Sequence, residues 1–288
     1  MPELPEVEVV KKSLKKTINH LTIKKIEIHN RFLRYKIDER LMQKMIKSKI
    51  LSVSRRSKYI LLKLNNNYTL LIHLGMTGKV IIIDSKNIKR KSSFYFKLSD
   101  DKPAHNHLTF TFNGNIKLIY NDIRKFGFIK IEESKKLLLN SHLKKLGPEP
   151  LSKNFHFQYF KNFIRGKSLS IKDLLMNQSF VAGLGNIYVN EAIFLSKINP
   201  LTKVNKLSNK SIFKLIPNIK KLLKKAIKEG GSSIRDFNSI EGQEGKFQQF
   251  FNVYGRDGEH CRRLNCRGKI QIIRISNRST FYCNKCQK

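Results

Sequence analysis

The chain is 288 residues long, enough for one large domain or two ordinary ones with real hydrophobic cores. Its 58 Lys and Arg stand against 21 Asp and Glu, a formal net charge of +37 spread along the chain rather than gathered in a tail, which points to a polyanionic partner, nucleic acid first among them. No stretch reaches the apolar length of a membrane span, and residues 1–20 alternate charge with apolar side chains, so no signal peptide is visible and a cytoplasmic setting is expected. An AT-rich genome inflates lysine counts in any protein and ribosomal proteins are equally basic, so charge names a class of partner and nothing finer.

The first predicted element is a helix. In MPELPEVEVV, Pro5 suits a first helical position, Glu6 and Glu8 sit near the positive end of the helix dipole, and Val7, Val10 and Leu14 recur at helical spacing with lysines on the remaining faces. That reading leaves Pro2 and Glu3 unexplained. Residues 22–131 read mostly as strands, with alternation at Ile26/Ile28, Leu51/Val53, Ile60/Leu62/Leu64, Leu70/Ile72/Leu74, Val80/Ile82, Leu108/Phe110/Phe112 and Ile116/Leu118/Tyr120. A sandwich-like β body behind an N-terminal helix follows. KKLGPEPLS (144–152) carries the turn residues of a boundary.

Beyond it the pattern turns helical, over 155–165, 171–176, 186–196 and about 209–229, the last ending at Gly230-Gly231. Pro217 falls inside that last helix, where a kink or a break is expected. Residues 231–258 are rich in Gly, Ser, Asp and Gln and read as a long loop. All the cysteines lie near the end: Cys261, Cys266, Cys283 and Cys286 form C-x4-C, a 16-residue spacer and C-x2-C. Four thiolates at this spacing can close a tetrahedral site for one structural Zn2+, with the spacer folding as a β-hairpin that turns at Asn277-Arg278-Ser279. Two disulfides are the rival account, which an intracellular lysine-rich chain disfavours. His105 and His107, two apart on a strand, could face a metal together but have no third ligand nearby.

Read together, MPELPEVE, HLGMTG (73–78), DIRKFG (122–127), LGPEPL (146–151), GLGNIY (183–188) and RSTFYCNKCQK resemble the formamidopyrimidine-DNA glycosylase family of bacterial base-excision repair. The motifs run in order over the whole chain. The resemblance implies an α+β multidomain fold: an N-terminal helix and β-sandwich catalytic domain over 1–135, a linker over 136–150, a helix-two-turns-helix domain with a lesion-recognition loop over 151–251, and a zinc-finger β-hairpin over 252–286. Damaged double-stranded DNA would lie between the two lobes; apart from the resemblance, a monomer is the default expectation, since the sequence displays no interface pattern.

The family's chemistry starts at Pro2, freed by removal of Met1. By analogy its amine attacks C1′ of the damaged nucleotide, expels an oxidised purine (8-oxoguanine or a formamidopyrimidine) and leaves an iminium, or Schiff base, from which β- and δ-elimination follow. Glu3 corresponds to the general acid/base and Glu6 to a supporting carboxylate. Lys58, in RRSKYILL, matches the lysine that assists β-elimination, and Arg278 the zinc-finger arginine assigned to phosphate contact and δ-elimination. Because a base must leave the stack to be attacked, Met76, Arg124 and Phe126 resemble the triad that fills the hole, though apolar residues such as Met76 and Phe126 are otherwise more often core. His105, Lys167 and Asn186 match DNA-contacting positions. EGQEGKFQQF (241–250) aligns with the lesion-recognition loop.

Two features depart from the family pattern: the C-x4-C pair, where many members have C-x2-C, and Pro217 in a helix that is usually continuous. Endonuclease VIII, acting on oxidised pyrimidines with the same scaffold, is the nearest alternative; the ELPEV start and Arg124-x-Phe126 favour the purine-lesion enzyme. A DNA-binding zinc protein without catalysis is the alternative from another class.

Overall fold

The computed structural model describes residues 1–85, 89–92, 102–232 and 246–288, the backbone alone for 89–92. The chain divides into two compact units, Met1–Lys144 with Ile227–Gln248, and Lys145–Ala226 with Gln249–Lys288. No described helix is long and apolar enough to cross a membrane.

The first unit opens with α1 (Leu4–Ile18), entered through Pro5 in its first turn, with Glu6 near its N-terminus and Lys15 and Lys16 near its C-terminus, as the helix dipole favours. Val7, Val10, Leu14 and Ile18 form its buried stripe, each side chain contributing roughly 1.5–3 kcal/mol by leaving water. They pack into one core with residues of two antiparallel sheets. One sheet contains β1 (Ile23–Ile28), β5 (Lys79–Ile83), β6 (Lys89–Ser92), β7 (Asn106–Phe112) and β8 (Lys117–Asn121) in the order β1-β7-β8-β5-β6; the other contains β2 (Ile50–Arg56), β3 (Tyr59–Leu64), β4 (Tyr68–His73) and β9 (Phe128–Glu133) in the order β2-β3-β4-β9. The short helix α2 (Glu39–Gln43), which no periodicity announces, follows β1.

Alternation locates seven of these strands, all but β6 and β9, with one local failure. Leu51, expected to point inward with Val53, is exposed, because the β2–β3 ladder shifts register between Ile50 and Ser52 and the extra residue brings Ile50 rather than Leu51 to the core. The topology then places the loops. The chain crosses from β4 to β5 through residues 74–78 and returns from β8 to β9 through 122–127; β4 pairs with β9 and β5 with β8, so the two crossings lie side by side at one end of the sandwich. At that end the paired residues Tyr59, His73 and Phe128 form an aromatic row.

In the second unit, α3 (Phe157–Ile164), α4 (Ile171–Met176) and α5 (Asn186–Leu195) precede α6 (Asn209–Lys228). Of the kink or break expected at Pro217, the break does not occur. Helix α6 runs through it unbroken, because Ile212, Leu215, Ile216, Ile219, Leu222 and Leu223 bury a continuous stripe while the proline stands on the exposed face. Two glycines at positive φ, Gly230 and Gly231, follow its end. The unit closes with the hairpin of β10 (Ile270–Ile275) and β11 (Arg278–Cys283). Its turn is Ser276-Asn277, not the expected Asn277-Arg278-Ser279: both residues have positive φ, the two-residue geometry that matches strand twist, and Arg278 opens the second strand, paired with Ile275.

Candidate active site and nucleic-acid interface

In the first unit the site gathers around the start of α1. Pro2, Glu3 and Glu6 are all buried, and Glu3 is the N-cap residue. Glu6 Oε2 accepts the Glu3 backbone N–H at 2.9 Å, while its Oε1 accepts the backbone N–H of Ser232 at 2.8 Å and the Ser232 hydroxyl at 2.9 Å. Glu6 thus fixes the backbone carrying Glu3 against the segment that follows α6, and Gly231 must be glycine there, since it has positive φ and a Cβ would meet the Glu6 side chain at 3.1–3.2 Å. Burial holds the N-terminal amine, here that of Met1, below its usual value; Glu3 and Glu6 oppose the shift, and Lys58 and Arg124 add to it. An amine shifted downward is unprotonated in larger fraction near neutrality, as a nitrogen nucleophile requires.

Lys58 is buried in the two-residue turn between β2 and β3. The turn is braced from behind: Arg55 donates through Nη1 to the Ser57 carbonyl at 2.7 Å and through Nε to Glu8 of α1 at 2.9 Å, and Glu8 also pairs with Lys11. Despite its burial the Glu8 carboxyl is lowered, through hydrogen bonds and charge from Lys11 and Arg55. Ser57 has a φ of 55°, where glycine is the usual occupant of such turns.

Beside Lys58, the paired crossings carry the three predicted filling residues. Met76 and Phe126 are 37% and 45% exposed and belong to no core, and the guanidinium of the exposed Arg124 lies 4.6 Å from the centroid of the Phe126 ring. Gly75, at a φ of +60°, lets the two loops touch backbone to backbone; a Cβ there would fall 2.4 Å from the Gly127 nitrogen. His73, next to this turn, is pushed down to about 4 by burial and then by the charges of Lys58, Arg34 and His142, and its Nδ1 accepts the Gly75 N–H at 3.1 Å. His105 is half-buried before β7, and its carbonyl accepts the Asp122 N–H at 3.0 Å; His107 is buried with Nε2 donating to the Asp122 carbonyl at 2.9 Å. The two histidines form no metal cluster: among the described residues, the group of three or more potential ligands is the four cysteines.

In the second unit, Asn186 begins α5. Its amide is oriented from both sides: Lys172 Nζ donates to Oδ1 at 2.6 Å, and Nδ2 donates to the Ser279 carbonyl at 2.9 Å, beside Arg278. Sequence reasoning singled out Lys167 and missed Lys172. Lys167 is exposed, donates to the Phe163 carbonyl within its own segment, and lies 4.4 Å from the centroid of the Phe163 ring. The signal for Lys172 was a lysine inside a mostly buried stretch, Ser170–Leu175, whose burial the sequence does not display. Glu191 was missed as well. Completely buried on α5, it accepts the backbone N–H groups of Asn252, Val253 and Tyr254 at 2.9–3.0 Å and fixes the strand of chain leading to the cysteines.

Arg278 is exposed at the start of β11. Below it the four Sγ atoms lie within 4.8 Å of one another, with Cys261–Cys286 at 3.8 Å and Cys266–Cys283 at 3.6 Å. A tetrahedral zinc–thiolate site with bonds of about 2.3 Å has edges of about 3.8 Å, so the donor set fits such an ion. Burial works to raise the Cys283 thiol, but hydrogen bonds from the backbone N–H groups of Cys286 and Lys285 and from the Cys286 and Cys266 side chains together leave it lowered, whereas burial holds Cys261 raised and burial with the neighbouring thiols holds Cys286 raised. The wider C-x4-C turn is anchored: Arg262 donates to the carbonyls of Gln249 and Phe251, and Arg263 to that of Phe194 at 2.8 Å. Of the segment 241–250, residues 241–245 lie outside the described residues.

Comparison with known proteins agrees with this arrangement. Residues 1–129 match the formamidopyrimidine-DNA glycosylase N-terminal domain and residues 146–238 the formamidopyrimidine-DNA glycosylase H2TH domain. Curated relatives named formamidopyrimidine-DNA glycosylase include one from Ruegeria sp. (strain TM1040), 38% identical, and one from Rickettsia bellii (strain OSU 85-389), 40% identical, each match covering 100% of both chains. Among solved structures, a Lactococcus lactis FPG mutant in complex with a Fapy-dG containing DNA aligns at a TM-score of 0.87 with 37% identity over 100% of both chains. Lactococcus lactis Fpg in complex with an abasic site containing DNA aligns at 0.86 with 37% identity over 99% of both.

Proposed function

The chain belongs to the formamidopyrimidine-DNA glycosylase family, and from that premise we propose that it is a bifunctional DNA glycosylase and AP lyase that removes oxidised purines, 8-oxoguanine and formamidopyrimidines, from double-stranded DNA. The observation that carries the reading is the burial of Pro2, Glu3 and Glu6 together at the start of α1, with Lys58 buried in the β2–β3 turn and close enough to act on the charge of the N-terminal amine.

With Met1 removed, the secondary amine of Pro2 becomes the nucleophile. Its lone pair forms a bond to C1′ as the glycosidic C–N bond breaks and the base leaves, taking up a proton; Glu3 takes the proton from the nitrogen and delivers one to O4′, so that the C1′–O4′ bond opens to a hydroxyl. The iminium that results has no N–H to lose, so its positive charge stays and acidifies C2′. Loss of a C2′ proton then breaks the C3′–O bond (β-elimination, assisted by Lys58), and a second elimination releases the 5′ phosphate (δ-elimination, assigned to Arg278). Met76 and Phe126 would fill the space of the everted base, Arg124 would bond the orphaned cytosine, and His105, Lys167 and Asn186 would contact phosphates. The partition into a catalytic domain (1–135), linker (136–150), helical domain (151–251) and zinc finger (252–286) belongs to the same reading. One structural Zn2+ would be held by Cys261, Cys266, Cys283 and Cys286; when bound it would close the knuckle beneath the β10–β11 hairpin and so fix the base of the strand bearing Arg278. The enzyme would work as a monomer in the bacterial cytoplasm, on chromosomal DNA.

Borohydride trapping tests the reading. Protein lacking Met1 should form a covalent adduct with a duplex containing an abasic site or 8-oxoguanine, and Pro2→Gly should lose most of it. Protein that retains Met1 should form none, because its proline nitrogen is an amide. No adduct from the processed wild type would refute the glycosylase assignment, and a clear preference for thymine glycol over 8-oxoguanine opposite cytosine would move the chain to the endonuclease VIII activity.

A further inference from the structure

The three exposed side chains at the end of the sandwich stand on two separate loops, and one hydroxyl joins those loops. Thr77 and Asp122 are both buried. Thr77 Oγ1 accepts the Arg124 backbone N–H at 3.1 Å and donates its own proton to Asp122 Oδ1. The second carboxylate oxygen, Oδ2, accepts the Gly127 N–H at 2.8 Å. Asp122 is itself held at both backbone ends, by the His105 carbonyl at 3.0 Å and by His107 Nε2 at 2.9 Å. Met76 thus precedes one end of a continuous relay, while at the other end Arg124 carries one of the two bonded N–H groups and Phe126 directly precedes the second. Lys125, between them, has a φ of 56°, a conformation that a non-glycine residue adopts when its surroundings impose it.

We infer that Thr77 and Asp122 are positioning residues that lock the two crossings into one preassembled wedge, so that Met76, Arg124 and Phe126 enter the duplex as a unit. The inference rests on the glycosylase reading and extends it to the step in which the base leaves the stack. A wedge whose parts are already ordered meets the cost of unstacking without also having to order two loops. Neither residue touches the sugar chemistry, so loss of the joint affects eversion more than covalent capture.

The comparison that tests this is single-turnover excision of 8-oxoguanine opposite cytosine against borohydride trapping on an abasic duplex, where no base has to leave the stack. Thr77→Val keeps the shape and removes the hydroxyl; Asp122→Leu keeps roughly the bulk and removes both acceptor atoms. Each should lower excision by about 10- to 100-fold, the range expected for misplaced contact groups, while trapping changes less than about threefold. In a Phe126→Ala background, Thr77→Val should cost less than about a further twofold, since the wedge it positions is already broken. An equal fall in both assays, unchanged excision in a folded Thr77→Val protein, or full additivity with Phe126→Ala would overturn the inference. The wild type separates the two readings: if it traps nothing, the glycosylase assignment fails; if it traps and the variants excise normally, only the joint fails.

Discussion

Glu6→Gln offers a sharp test of how the terminus is held. In the wild type one carboxylate satisfies three donors, the backbone N–H of Glu3 on Oε2 and the N–H and hydroxyl of Ser232 on Oε1, at 2.8–2.9 Å in a buried setting. An amide offers one acceptor atom, so whichever way it turns, its NH2 faces one of the two backbone N–H groups. A buried donor left without an acceptor costs about 1–3 kcal/mol, and each remaining hydrogen bond loses about 1 kcal/mol as its charge assistance disappears. The sum is roughly 2–5 kcal/mol, which for a domain of this size corresponds to a fall of about 5–15 °C in melting temperature. Thermal unfolding followed by circular dichroism at neutral pH measures it. Borohydride trapping by the same variant should slow, because the backbone of Glu3 is no longer pinned. A melting temperature within about 1 °C of wild type would show that the Glu6 contacts carry no net stabilisation, and the account of a clamped terminus would be wrong.

Acid titration addresses His73. Its folded value, about 4, lies below the ordinary 6.5, so the unfolded chain binds the extra proton first: the neutral form's contribution is complete above about pH 6.5 and is lost as pH falls toward 4, roughly 3 kcal/mol in all. His73→Gln should flatten the stability curve in that window; an unchanged slope would contradict the assignment of the ring as neutral and buried. For the cysteine site, a chelator with a colorimetric readout should release one zinc per chain and weaken DNA binding by at least about tenfold, while most far-UV helix signal remains. The hairpin is separately tied to α5, by the Phe281 N–H on Asn190 at 3.0 Å, and to the start of the following chain, by Gln287 on the Ile198 carbonyl at 2.9 Å. Loss of the helical signal with the metal would mean that those ties do not hold the hairpin on their own.

The sequence by itself determined most of the elements and the chemistry on offer. Val7, Val10 and Leu14 could be read as one face of α1 because helical periodicity is local, and period-two alternation located most of the strands for the same reason. The cysteine spacing identified a metal-sized cluster, since ligand pairs on tight turns are also a local matter. Six short motifs in order carried the family, and with it the expectation that Pro2, Glu3, Lys58 and Arg278 do the chemistry.

What only the tertiary structure decided depends on residues far apart in the chain. Pro217 forbids a helix by local rules, and the packed stripe of α6 overrules it. Leu51 alternates correctly and is still exposed, because the bulge that reverses it is set by pairing with β3. Met76 and Phe126 look like core residues until two sheet crossings bring them together at the surface. Lys172, Glu191, Asp122 and Arg55 are ordinary charged letters in the sequence. Each becomes informative only through burial against a specific partner, and burial is the property that a charge pattern along the chain does not record.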